Sequence, residues 1–182
     1  GAVRNEFQKY VIQNKKDKFV RLGNNGHTTR NVALSKQPAA KNAAAEQFLI
    51  RMMFEDASLI PYIQVQLDVN DFQDEARHEI ITNLWEAFHD GRSLESLALV
   101  SALSQQAQEE LSQIMVKDGP EGDVTRVVDD YIKTIKLTSL RNLFEKHRLR
   151  ADELERMGDS SFQQELAESK RINDEIKLLL QM

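Results

Sequence analysis

The chain has 182 residues, enough for one medium-sized domain or two small ones, and it contains no cysteine. The missing cysteines exclude a disulfide framework, a thiolate zinc site and a cysteine nucleophile, and they fit a reducing cytoplasmic location. No apolar run approaches the ~18 residues that a membrane-spanning helix needs. Only three prolines and seven glycines interrupt a chain rich in Leu, Ala, Gln and Glu, which predicts an all-α protein.

The net charge of −5 is distributed unevenly. Residues 1–42 carry nine Lys/Arg against two Asp/Glu, whereas residues 43–182 carry fifteen Lys/Arg against twenty-seven Asp/Glu. We interpret residues 1–42 as a basic, largely flexible leader, because the stretch beyond Gly23 has little apolar content. The acidic remainder is not expected to hold a nucleic-acid backbone strongly by itself. Contact between the leader and DNA is the alternative to a solvated tether.

From Ala43 onward, apolar residues recur at helical spacing and predict five helices before Gly119-Pro120. These helices carry enough apolar residues for a compact bundle, which we assign to residues 43–133. Trp85 lies off the main apolar stripe of its helix and indicates a second wall of this bundle. The residues expected to begin or end the helices are Pro61 in the first turn of the second, Asn70 or Asp71 as the cap of the third, Gly91 at its end, and Ser93 and Ser104 as caps of the fourth and fifth.

A sixth helical pattern runs from Asp123 to Met157 without a Pro or Gly, about 50 Å at 1.5 Å per residue. Its middle contains Thr134, Thr138 and Ser139, which lower helix propensity and predict a kink or break near 134–140. We therefore assign residues 134–182 to a separate C-terminal subdomain.

Gly158 stops this pattern, and a last helical pattern follows it to the chain end. Ser160 and Gln163 have the spacing of a capping box at the start of the last helix. A glycine stop followed at once by a cap predicts a tight turn and an antiparallel helical hairpin.

A hairpin of two helices has no third wall to cover its apolar side chains, so we predict that it docks on another protein. The candidate partner-binding residues follow from helical periodicity, and some of them must instead hold the hairpin together. They are Phe144, His147, Arg148, Leu154, Phe162, Ile172, Ile176, Leu179 and Leu180.

No pattern in the chain predicts catalysis, a metal site or a cofactor. Two Glu-x-x-His pairs occur, Glu75/His78 and Glu86/His89, but both lie on one predicted helix, roughly 16 Å apart along its axis. The pairs cannot share a metal ion, and we interpret them as solvated surface. A phosphate-binding loop, a nucleophile elbow and a His-Glu-x-x-His motif are all absent from the sequence.

The order of these segments resembles one protein family. Ala45-Glu-Gln-Phe-Leu-Ile-Arg-Met-Met53 resembles the opening of the C-terminal domain of bacterial replicative DNA primases of the DnaG type. The stretch from Phe72 to Arg77, with the apolar helix up to Gly91, resembles its third helix. Asp130-Tyr-Ile132 on the long helix and the final hairpin ending in Ile-Lys-Leu-Leu-Leu also fit. The resemblance covers residues 43–182.

The resemblance implies a non-catalytic domain that binds the N-terminal domains of the replicative DnaB-type helicase. In that family the hairpin supplies most of the affinity and the bundle modulates the helicase, which couples primer synthesis to unwinding. The basic leader would connect to the polymerase domain of the parent primase, and the isolated fragment is expected to be a monomer. The alternative is a structural hairpin or bundle that associates with a second copy of itself.

Overall fold

A computed structural model describes residues 33–94, 97–117 and 124–181. These residues form helices and connecting turns without a strand, which confirms the all-α prediction of a bundle followed by a long helix and a hairpin. Residues from Lys36 onward belong to one compact unit. The elements are α1 Ala33–Glu55, α2 Leu59–Gln64, a 3-10 helix Val69–Asp71, α3 Glu75–His89, α4 Leu97–Ala102, α5 Gln105–Val116, α6 Val124–Arg156 and α7 Phe162–Gln181.

One apolar core holds the bundle together, and the first part of α6 belongs to it. Burying each Leu or Ile of this core contributes about 1.5–3 kcal/mol. The rings of Phe48 and Tyr131 stack at 5.3 Å and fasten α6 to α1. The largest fully buried side chains of this core are Leu49, Ile50, Met53, Ile60, Ile63, Ile80, Ile81, Leu84, Leu111, Ile114 and Ile135.

A buried polar network connects α1, α3 and α5. Glu46 is completely buried, and its carboxylate accepts hydrogen bonds from Arg77 Nε at 2.5 Å and from Asn42 Nδ2 at 2.6 Å. Arg77 also donates to Glu110 Oε1 at 2.7 Å. Burial alone would lower the pKa of Arg77, but the hydrogen bonds that Arg77 donates to Glu46 and Glu110 outweigh it and raise that pKa. The buried carboxylate is therefore paired, as a charge in the interior must be.

Trp85 is buried and meets the ring of Phe72 edge-on, with the centroids 6.4 Å apart. Trp85 is therefore part of the bundle core and not of an exposed contact surface. Its indole Nε1 is buried without a hydrogen-bond partner among the described residues. The packing of the ring therefore outweighs the cost of an unsatisfied donor.

Several helix starts differ from the predicted ones. The first helix begins at Ala33 rather than at Ala43, so residues 33–42 are helical and not a linker. Lys36, Gln37, Ala39, Ala40 and Lys41 are good helix formers, but Pro38 among them and the low apolar content of the stretch indicated a linker instead. The rest of the predicted leader lies outside the described residues.

The third helix of the bundle, α3, is capped by Asp74, whose Oδ1 accepts from the amides of Ala76 and Arg77 at 3.1 Å. The prediction of Asn70 or Asp71 as its cap was wrong. The reason is a competing local motif, because Asp68 and Asp71 form their own capping box around the 3-10 helix.

Other predicted boundaries agree with the structure. Pro61 lies in the first turn of α2, and the hydroxyl of Ser104 accepts from the amide of Ala107 at the start of α5. Gly91 follows α3 with a φ of 66°, a left-handed conformation in which an amide can close the last turn of a helix. Ser93 is not the cap next to α4, which begins at Leu97, and residues 95 and 96 lie outside the described ranges.

The long helix α6 is continuous over its 33 residues. The expected break near 134–140 does not occur. Thr134 and Thr138 donate their hydroxyls to the carbonyls of Asp130 and Thr134 at 2.8 and 3.0 Å, so these side chains satisfy themselves inside the helix. The helix therefore extends from the core of the bundle into the hairpin.

Gly158 ends α6 as predicted, with a φ of 72°. The amide of Asp159 donates to Leu154 O and that of Gly158 to Glu155 O, both at 3.0 Å, which is the Schellman pattern. The acceptor at the following turn is Asp159, which takes hydrogen bonds from the amide and the hydroxyl of Ser161. The predicted capping box of Ser160 was wrong, because the carboxylate one residue earlier orders this turn.

Candidate functional site

The hairpin has an apolar core of its own, built entirely from the second half of α6 and from α7. Leu140, Ile172 and Ile176 are buried at its centre. Leu137, Phe144 and Leu179 pack against them. No residue of this cluster belongs to the core of the bundle, so the hairpin is stabilised by its own packing.

Side-chain hydrogen bonding across the hairpin is sparse. His147 Nδ1 lies 2.6 Å from Glu165 Oε2. This contact is the one side-chain hydrogen bond between α6 and α7 within the described residues. The other ion pairs of the hairpin, such as Arg171 with Glu168, lie within one helix and are exposed. Exposed pairs of this kind contribute about 0.2–1 kcal/mol each. The two helices are therefore held together mainly by apolar contacts.

Three of the nine predicted partner-binding residues are buried inside the hairpin. Ile172 and Ile176 form its core together with residues of α6, and Leu154 is buried near the turn. These side chains cannot touch a partner while the hairpin is intact. They support the binding surface from within.

Four predicted residues are half-buried at the edge of the hairpin core. Phe144 and Leu179 pack against the core, and Phe162 lies in the first turn of α7. His147 is the partner of Glu165. Each of these side chains keeps part of its surface accessible on the outside of the hairpin.

Two predicted residues are exposed. Leu180 has 53% of its surface accessible. Arg148 forms exposed ion pairs with Glu145 and Asp152, and its hydrogen bond with Glu145 raises the pKa of Arg148 above its ordinary value. These two residues are available to a partner without any change in the hairpin.

Sequence periodicity missed two exposed leucines of the hairpin. Leu149 and Leu178 lie outside the apolar stripes of their helices. An apolar residue on an otherwise polar side of a helix is the sequence signal that could have identified them. Leu166 and Leu180 are separated by almost four turns and lie about 40° apart around α7. The large apolar side chains of the hairpin that are exposed, besides Leu180, are Leu143, Leu149, Met157, Leu166 and Leu178.

The structure does not assemble ligand clusters from the acidic and histidine side chains that it describes. No group of three or more His, Asp or Glu residues there is placed to hold a metal ion. Glu75, Glu86 and His89 are exposed, and the ring of His89 lies 3.2 Å from the side-chain nitrogen of Gln64. None of the described helices combines the length and apolarity needed to cross a bilayer.

The hairpin is thus the part of the described chain in which exposed apolar side chains are most frequent, with six of the eleven large ones. Such side chains are normal when scattered singly, and they mark an interaction site when they form a contiguous patch. No protein-family model matches this chain, and no curated protein or solved structure matches it significantly.

Proposed function

We propose that this chain is the helicase-binding domain of a bacterial replicative primase of the DnaG type, and that it is itself non-catalytic. The observation that carries the proposal is the hairpin at the end of the long helix α6, with its own core and with apolar side chains left exposed. The sequence resemblance over residues 43–182 supports the same assignment. A cytoplasmic location and a role in coupling primer synthesis to unwinding go with it.

The hairpin is the proposed docking element for the N-terminal domains of a DnaB-type helicase. Its buried residues hold two antiparallel helices against each other, and its exposed residues provide the contacts. Apolar anchors that become fully desolvated in an interface typically cost at least about 2 kcal/mol when truncated to alanine. Leu166 and Leu180 are suited to this role because both are exposed and both lie on one side of α7.

The bundle is the proposed modulating element. Its acidity, with four Lys/Arg against fifteen Asp/Glu in residues 43–122, makes it a poor ligand for a nucleic-acid backbone. It also anchors α6, through Val128, Ile132 and Ile135 in its core. The bundle can thereby hold the hairpin in a defined position relative to the rest of a primase.

Binding to a purified DnaB-type helicase tests the proposal, by size-exclusion chromatography and calorimetry. The complete chain should form a stable complex. A fragment ending at Ser139 should bind far more weakly, because it keeps Val128, Ile132 and Ile135 in the bundle core but loses α7. Absence of binding by the complete chain, or full binding by the shortened one, would contradict the assignment.

Self-association of the hairpin is the competing function, since exposed leucines can also be covered by a second copy. Sedimentation at micromolar concentration separates the two. A monomer that binds helicase supports the primase assignment. A dimer that Leu166→Ser and Leu180→Ser convert to a monomer, with no binding to helicase, supports the alternative.

A further inference from the structure

Residues 68–73, which connect α2 to α3, contact the long helix α6 at two separate points. The ammonium group of Lys136 lies 3.2 Å from Asp71 Oδ2. The amide of Asn142 donates to Gln73 Oε1 at 3.0 Å. Lys136 and Asn142 are about 9 Å apart along the helix axis. Two contacts at different points along a helix fix the direction of its axis, whereas one contact fixes the position of a single point on it.

The connecting segment is itself held firmly by the bundle. The amide of Asp68 donates to Asp71 Oδ2 at 2.9 Å, which orients the carboxylate that Lys136 meets. The amide of Gln73 donates to the buried carboxylate of Glu46 at 3.1 Å. Asp71 is buried at the same time. The groups that receive α6 are thus fixed by contacts that do not involve α6.

The long helix is intrinsically weakest at this level. Thr134 and Thr138 are β-branched, and both return a hydroxyl hydrogen bond to a carbonyl of the preceding turn. Such residues lower helix propensity, and such bonds often bend a helix. Lys136 lies between the two threonines, and Asn142 lies one turn beyond them. One contact therefore lies within the stretch at which α6 bends most easily, and the other lies on its hairpin side.

The cores on either side of this stretch are independent. The bundle core ends on α6 at Ile135, and the hairpin core begins at Leu137 and Leu140. The two clusters share no residue, so a bend between them breaks neither. Beyond Leu137, Asn142 is the described residue whose side chain hydrogen-bonds to the bundle.

We propose that residues 68–73 are a latch that holds α6 in one direction, and that releasing it lets the hairpin swing about the boundary between Ile135 and Leu137, where the two cores meet on α6. The bundle and the hairpin move as two rigid bodies in this device, and the latch selects one arrangement. Loss of the contacts at Lys136 and Asn142 replaces a single arrangement by a range of them. The proposal does not depend on which partner the hairpin binds.

The distance between two spin labels tests the latch, and the absence of native cysteine makes labelling specific. Cysteines replace Glu86 on α3 and Lys170 on α7, both exposed. Double electron–electron resonance on the complete chain should give a single narrow distance distribution. Lys136→Met combined with Asn142→Ala should at least double its width or add a second population.

Lys133→Met combined with Arg141→Ala is the matched control, because neither of these neighbours on α6 has a described hydrogen bond or ion pair with residues 68–73. The control should keep the narrow distribution. The latch is refuted if the Lys136→Met/Asn142→Ala chain gives the same distribution as the parent, or if the parent distribution is already as broad as that of the variant. Should circular dichroism show that this variant loses helix, Asn142→Ala alone is measured by the same criterion.

Discussion

Truncation of Ile172 to alanine should detach α7 from α6 while leaving the bundle folded. Ile172 has 0% of its surface exposed and lies at the centre of a core with only two other buried members, Leu140 and Ile176. Replacing a buried Ile by Ala costs about 2–5 kcal/mol through lost transfer energy and the cavity left behind. The hairpin core is small, so a loss of this size is a large part of what holds α7 in place.

Hydrogen exchange read out residue by residue measures this effect. In the Ile172→Ala chain, amides of α7 and of the last turns of α6 should exchange faster by the factor corresponding to ~2 kcal/mol or more, roughly 30-fold. Amides around Ile80 and Leu111 in the bundle should be unchanged. Leu180→Ala is the control, because a change at a residue that is 53% exposed should stay within about 0.5 kcal/mol.

The reasoning is refuted by either of two results. Protection of α7 that survives Ile172→Ala would mean that something other than the apolar core holds the hairpin. Equal loss of protection in the bundle and in α7 would mean that the two cores unfold as one unit.

Three further changes have expected outcomes. Arg77→Leu should destabilise the bundle by about 3–5 kcal/mol in urea denaturation, because it leaves the buried Glu46 unpaired, whereas Arg92→Leu at an exposed ion pair should have little effect. Gly158→Ala should lower the free energy of unfolding by about 1 kcal/mol, because alanine is strained at a φ of 72°. An added Cβ meets no atom within 4 Å, so no steric clash adds to this strain, and a neutral result would contradict the prediction. Hydrogen bonds from the amide and then the hydroxyl of Ser161 lower the pKa of Asp159 below its ordinary 3.8. The contribution of ionised Asp159 to folding stability is therefore complete above pH 3.8, and it is lost as the pH falls through the lowered pKa. The difference in thermal stability between the parent and Asp159→Ala should therefore be largest near neutral pH and shrink in acid, and a constant difference would count against the assignment.

Local signals in the sequence were sufficient where one residue type and its immediate neighbours set the geometry. Gly91 and Gly158 end helices because glycine tolerates the left-handed conformation, and Ser104 caps α5 because its hydroxyl reaches an amide three residues on. The helical period predicted the buried positions Ile172 and Ile176 of α7, although Leu180 on the same predicted stripe is exposed. The all-α class and the hairpin follow from these short-range effects.

Local signals failed where two of them competed. Asp68, Asp71 and Asp74 all suit a helix start, and the structure uses Asp68 and Asp71 for a 3-10 helix and Asp74 for α3. Asp159 likewise took the role predicted for Ser160. Thr134 and Thr138 predicted a break in α6. The helix is continuous instead, and it packs on both cores. For the aspartates the competing signals are a few residues apart and equally suited to a cap, whereas for α6 it is packing on two cores that the local sequence does not reveal.

The sequence by itself determined that this chain folds into helices, where most of them end, and that a terminal hairpin exposes apolar residues. Only the tertiary structure decided that Ile172 supports the hairpin from within while Leu180 remains accessible, and that Glu46 is buried in a salt bridge to Arg77. The physical reason is the range along the sequence over which each kind of interaction acts. Helix caps and periodicity act over a few residues, whereas burial and pairing depend on which distant segments meet.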